Sequence, residues 1–272
     1  MVEPGRLELP TSAMRMLRSN PGELRPRFGY NTSMPDKPLS RLSEIAGSEE
    51  LADQITQIFN TGSAVNRLMT FSRMNGVLNV KQRRLTDWLL TLKPKHFNLS
   101  TPFYGLQEPE DGSHFIAVSR RLIDGEGNKY KTVQYVPLEV YLAFSDMEQA
   151  FLKTNPKKQL ILYSAYRSPA YQTMLIVYYL TKNKYDLAKV LKRVALPGYS
   201  EHGLIDSTAL DLDNDIGHPA EYDDIEFENT QQYGWLLKNA KSFGFNLSYP
   251  PNNPEGIDYE PWHWRYTSPK TA

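Results

Sequence analysis

The chain has no cysteine in 272 residues. That excludes a disulfide framework, a thiolate nucleophile and a cysteine-type structural zinc site. A metal here can be held only by His, Asp or Glu, a donor set more typical of catalytic sites than of structural ones. There is also no excess of charge of either sign, with 31 Lys+Arg against 31 Asp+Glu. Nothing therefore points to nucleic acid or an anionic membrane surface as the main partner. No apolar run approaches the ~20 residues that span a bilayer. The first residues lack the roughly 7–15-residue apolar core of a signal peptide. No internal repeat is visible. What remains is ordinary globular material, 40% hydrophobic and 23% charged, long enough for one large domain or two smaller ones.

Residues 1–36 hold Pro4, Pro10, Pro21 and Pro26 without a clear period and are expected to be disordered, with Met34 a candidate start of the functional chain. From Leu39 to Leu92 apolar residues recur at helical spacing, as in Leu51, Ile55, Ile58 and Phe59. Two alternating runs, His114–Leu122 and Lys131–Leu138, flank D-G-E-G-N (124–128) and predict a β-hairpin. Residues 37–130 thus read as a helical region plus hairpin, and 131–272 as a second domain. In that second part, helices are expected over Glu139–Lys153, from Ser168-Pro169 to Lys182, over Tyr185–Val194 and over Asn229–Phe243, with Gly244 capping the last. Leu160–Tyr163 predicts a strand. His96 and His114 are expected at the surface or at element ends.

Three stretches carry chemistry. The first is Y-E-P-W-H-W-R-Y (259–266). Pro261 suits a strand start. Extended backbone then puts Trp262, Trp264 and Tyr266 on one face and His263 and Arg265 on the other. Glu260 falls on the turn before. Taken alone, the segment reads more simply as a core histidine among aromatics. The second stretch is P-G-Y-S-E-H-G-L-I-D-S-T-A-L-D-L-D (197–213). Alternation puts Thr208, Leu210 and Leu212 on one face and Ala209, Asp211 and Asp213 on the other, with His202 on a Gly-flanked loop upstream. Two histidines and an aspartate, with one position left for water, make a sound catalytic zinc set. A nearby carboxylate such as Glu260 can serve it as general base. The competing reading is a solvated acidic strand end. The third stretch is S-A-Y-R-S-P-A-Y-Q (164–172), where Arg167 precedes a helix N-terminus and Gln172 lies in its first turn or so. An arginine fork beside free N–H groups is a ready site for a carboxylate, although an N-capping loop with an exposed arginine explains the segment as well.

Taken in chain order, S-A-Y-R-S-P-A-Y-Q, then P-G-Y-S-E-H with A-L-D following, then W-L-L-K-N-A-K-S-F-G-F with S-Y-P, then E-P-W-H-W-R-Y resemble the ordered motifs of the VanY-like zinc D-alanyl-D-alanine carboxypeptidases, over about Tyr135–Tyr266. The resemblance implies an α+β fold: a small antiparallel sheet carrying the zinc site, flanked by helices, here with an N-terminal mostly helical extension. It implies Zn2+ held by His202, Asp211 and His263, with Glu260 as catalytic base. Arg167 and Gln172 would bind the substrate's terminal carboxylate, and Ser200 would be a lesser substrate contact. The implied activity removes the C-terminal D-alanine from a peptidoglycan stem peptide or precursor. A peptidoglycan endopeptidase using the same zinc, or a non-catalytic wall-binding module, stands as the alternative. Members of the family mostly work outside the cytoplasmic membrane, whereas no export signal is visible here, which leaves the compartment open. One departure matters. The family usually spaces its first His and its Asp by seven residues, with Gly two before the Ala. Here His202 and Asp211 are nine apart and Ser207 stands in place of that Gly. A two-residue loop insertion that preserves strand register is expected, with Asp206 and Asp213 the alternative carboxylates.

Overall fold

The computed structural model describes residues 47–61, 66–109, 114–123, 129–214 and 225–268. The expected disorder of 1–36, the candidate start at Met34 and the D-G-E-G-N turn lie outside these residues. Three helices open the described chain: α1 (Ser48–Thr61), α2 (Phe71–Val77) and α3 (Val80–Thr91). The periodic run breaks into separate helices because two polar residues each start a new one. Thr70 accepts a hydrogen bond from the Arg73 N–H. Asn79 forms a capping box with Gln82, satisfying N–H groups that a helix start leaves open. The hairpin follows as β1 (Phe115–Ile123) and β2 (Lys129–Pro137), paired antiparallel. His114 is exposed just before β1, and His96 sits in a short 3-10 turn, Pro94–Phe97.

The remaining elements are α4 (Leu138–Thr154), β3 (Ile161–Ser164), α5 (Pro169–Lys182), α6 (Leu187–Leu191), β4 (Ala209–Asp213), α7 (Ile225–Glu228), α8 (Gln231–Asn239), β5 (Phe245–Leu247) and β6 (His263–Tyr266). The second sheet is antiparallel in the order β3-β4-β6-β5. The fold is α+β. Ser168 caps α5 by accepting from the Tyr171 N–H, with Pro169 in the first turn as its sequence position requires. The helix expected from Tyr185 instead begins at Leu187. Lys184 and Tyr185 have positive φ angles of 53° and 59°, which a helix start cannot use, and Asp186 caps the new helix. Gly244 ends the 3-10 turn after α8 with φ 83°. A Cβ there would fall 2.8 Å from the Tyr266 ring.

Two apolar clusters hold these parts. One joins Ala52, Ile55, Leu85 and Leu89 of the N-terminal helices to Met174, Ile176 and Leu180 of α5. The other packs Phe144, Met147 and Phe151 of α4 against Leu162, Leu210, Leu212, Trp264 and Tyr266 of the sheet. Burial of each large side chain contributes about 1.5–3 kcal/mol. The aromatic face of β6 is therefore committed to the core, and the opposite face carries His263. No helix among the described residues is long and apolar enough to cross a membrane.

Candidate metal centre

β4 and β6 pair so that Asp211 lies directly opposite His263. His202 reaches the same point from a short 3-10 turn, Glu201–Gly203. These three residues are buried and bring one ligand atom each within 4.8 Å of one another. Within the loop between His202 and β4 the Thr208 hydroxyl donates to the Leu204 carbonyl, and Asp211 pairs with His263 in the strand that follows. Among the alternative carboxylates, Asp206 is exposed, while Asp213 accepts from the Asn214 N–H at 2.7 Å and stands outside the cluster.

The ring nitrogens show what the cluster lacks. His202 Nδ1 lies 2.8 Å from the Ala165 carbonyl oxygen. A carbonyl only accepts, so Nδ1 carries the proton. Nε2 then presents a lone pair 3.2 Å from Asp211 Oδ1, with no hydrogen-bond partner of its own. Burial, aided by the Arg167 charge, pushes His202 down to about 4, so it stays neutral. A neutral imidazole lone pair facing a carboxylate oxygen in a buried site calls for a cation. His263 adds a third donor atom. Its Nδ1 lies 3.2 Å from the same Asp211 Oδ1 and 3.5 Å from Glu260 Oε2. Its Nε2 lies 3.0 Å from Glu201 Oε2. The residues present thus fit a metal ion bound through two nitrogens and an oxygen.

The carboxylates differ in charge state. Asp211 is held well below the usual range: burial opposes this, but His263 and Arg167 outweigh it. Burial opposes the charge on Glu201 too, yet His263, Ser248 and Arg265 lower it to about 2. Glu260 goes the other way, pushed up to about 8 by burial that the His263 charge only partly offsets. Burial disfavours a charge on His263, but its hydrogen bonds to Asp211 and Glu201 raise it to about 10.

Arg167 is at the site, yet its Nη2 lies 3.3 Å from Asp211 Oδ2. It braces the oxygen that faces away from the two histidines. Gln172 is buried, and its Nε2 donates to the Ala195 carbonyl at 2.8 Å. A bound carboxylate would have to compete for that donor. Ser200 is buried at the start of the turn that carries His202, and its side chain makes no capping hydrogen bond. Glu201 and Tyr104 were not anticipated as site residues. Glu201 adjoins His202 in sequence but bonds to His263. The only hint was a charged residue between two candidates in S-E-H. Tyr104 donates to Glu201 Oε1 at 3.2 Å from far upstream, and no local pattern announces it.

Fold and cluster together define an α+β protein with a buried cluster of nitrogen and oxygen donors that could hold a metal ion. The VanY family model, described as D-alanyl-D-alanine carboxypeptidase, matches residues 134–269, and the chain belongs to that family. The bifunctional D-Ala-D-Ala dipeptidase and D-Ala-D-Ala carboxypeptidase VanXYC of Enterococcus gallinarum is 34% identical over 125 residues, covering 44% of this chain and 62% of that protein. A D-alanyl-D-alanine carboxypeptidase of Enterococcus faecalis (strain ATCC 700802 / V583) is 38% identical over 81 residues, 29% of this chain and 26% of that one. The chain therefore spans less than two thirds of the length of these two relatives. Among solved structures, VanYB in complex with D-alanine-D-alanine is similar with 24% identity and a TM-score of 0.42, over 63% of this chain and 88% of that one.

Two outcomes follow from this geometry. Asp211→Asn should lose tight metal binding, whereas Asp213→Asn should keep it; metal analysis of the purified folded variants decides, and the reverse result would move the ligand to Asp213. The metal-stripped protein should also lose stability as pH rises. Glu260 and His263 both have folded pKa values raised above their unfolded ones. Their stabilisation is therefore complete below the unfolded values, about 4.5 and 6.5, and is lost as pH climbs through about 8 and about 10. Thermal unfolding in chelator should give a lower Tm at pH 9 than at pH 6; an equal or higher Tm at pH 9 would contradict the assignment.

Proposed function

We propose that this protein is a zinc-dependent D,D-carboxypeptidase that removes the C-terminal D-alanine from a peptidoglycan stem peptide or precursor. The observation that carries the reading is the convergence of His202 Nε2, Asp211 Oδ1 and His263 Nδ1 in a buried site. Three protein donors of this kind leave a coordination position open, as catalytic zinc requires. Family membership and the D-Ala-D-Ala activities in the names of the relatives support the substrate class.

When bound, zinc supplies a Lewis acid for the scissile carbonyl and a water whose pKa falls toward ~7. Asp211 and the two histidines hold that ion. Glu260 manages the proton. Its carboxyl is buried beside His263, 3.5 Å from Nδ1. As general base it takes a proton from the attacking water while the new carbon–oxygen bond forms. It returns the proton to the leaving amine as the carbon–nitrogen bond breaks, freeing D-alanine. Arg167 presents a charged fork beside the helix N-terminus of α5, suited to a free terminal carboxylate. Its bond to Asp211 keeps the guanidinium at the site before substrate arrives. An anchor for the terminal carboxylate measures one residue from the end of the chain, making the cleavage an exo-cleavage. Gln172, through Ala195, and Ser200 would shape the same pocket wall.

Glu260→Gln should retain zinc and cost at least ~100-fold in kcat on a peptide ending in D-Ala-D-Ala, with KM little changed. Gln keeps the shape but cannot accept the proton. A non-catalytic binding module would show no turnover to lose, and loss of zinc from the variant would make Glu260 a ligand instead. The native enzyme should also process the peptide acid ~10- to 150-fold more efficiently than its C-terminal amide, the range expected for a charged hydrogen bond. Equal kcat/KM for both would argue for endopeptidase cleavage.

A further inference from the structure

His263 offers two ring nitrogens, and only one can face the metal. Nδ1 points at Asp211 and Glu260; Nε2 points at Glu201 Oε2, 3.0 Å away. Glu201 is only 6% exposed, and each of its oxygens accepts two hydrogen bonds. Oε2 takes the Ser248 hydroxyl at 2.5 Å and the His263 ring. Oε1 takes Tyr104 OH at 3.2 Å and Arg265 Nη1 at 3.1 Å. All four partners are donors, so the carboxylate is fixed in position. The strand explains why two of them converge. His263 and Arg265 are two apart on β6 and share its face, opposite Asp211 and Ala209 of β4.

Tyr104 comes from a segment that precedes the region matched by the family model. Its N–H donates to the Gly198 carbonyl at 2.7 Å, and the Arg265 guanidinium lies over its ring at 5.2 Å. Gly198 has φ 82°, and a Cβ there would stand 2.6 Å from Phe103. The upstream segment therefore sits directly against the P-G-Y-S-E-H loop. The His263 ring packs at a tilt of 40° on Tyr249 and nearly perpendicular to His202, with centroids 4.8 Å away in each case.

We propose that Glu201 is a positioning residue for the metal centre: it accepts the Nε2 proton of His263, fixes the ring, and so reserves Nδ1 for the ion. This rests on the zinc reading above. A carboxylate behind a ligating histidine sets its tautomer and raises its basicity, and losing one typically weakens metal binding 10- to 100-fold.

The full chain, labelled with 15N-histidine and loaded with zinc, gives the first test. Long-range 1H–15N spectra should show His263 carrying its proton on Nε2 and metal on Nδ1. Zinc affinity by chelator competition should fall ~10- to 100-fold in Glu201→Ala, with the Nε2–H signal lost to solvent exchange. Glu201→Gln should fall in between, because its amide NH2 meets a donor on either side. The opposite tautomer in the native protein would overturn the proposal. So would an unchanged affinity and spectrum in both variants. If Glu201→Ala fails to fold by circular dichroism, the native spectrum and Glu201→Gln decide. Native protein that binds no zinc would instead sink the proposed function itself.

Discussion

The site depends on one strand register, the pairing of Asp211 with His263 across β4 and β6. A slip of one residue would turn every side chain on one strand to the other face. His263 would enter the core, and Trp264 would enter the site. What prevents that slip is apolar. Leu210, Leu212, Trp264 and Tyr266 pack against Phe144, Met147 and Phe151 of α4, so any shift would bury polar groups and expose aromatics. The chemistry on one face of the sheet is thus positioned by the hydrophobic alternation on the other. The same register brings Arg265 to Glu201, which ties the second carboxylate to the ligand strand.

Burying three carboxylates this close is costly unless each is matched. Asp211 is matched by Arg167 and the His263 ring, and Glu201 by four donors. Glu260 meets His263 at 3.5 Å, but burial outweighs that charge and its proton affinity rises. This inequality separates the roles. Two carboxylates are held as fixed negative charge, which fits the third, Glu260, to the general-base role proposed for it. A cation among His202, Asp211 and His263 would complete the balance, because it would take up the lone pair that His202 Nε2 leaves without a partner.

Much of this was legible in the sequence wherever the deciding interaction is local or periodic. Strand alternation placed Asp211 and His263 on the faces opposite the apolar side chains, and the Ser168-Pro169 pair marked the start of α5. Gly244 marked the end of the helical stretch after Asn229. The parts that were not legible rest on contacts distant in sequence. Glu201 sits beside His202 on a 3-10 turn, where adjacency does not say which histidine a side chain will meet. Tyr104 reaches it across 97 residues. The bond from Arg167 to Asp211 depends on the close approach of β3 and β4, which no local pattern encodes. The left-handed conformations of Lys184 and Tyr185, which delay α6, carry no signal in residue type, since neither is glycine or asparagine. The three-residue β5 is too short to show a period.

The central claim is a zinc ion held by two imidazoles and one carboxylate. X-ray absorption on the zinc-reconstituted protein tests it most directly. The account predicts one zinc per chain, no sulfur scatterer, and a nitrogen/oxygen shell at about 2.0–2.1 Å that includes two imidazole rings. Substoichiometric zinc, or a shell with a single imidazole, would contradict it.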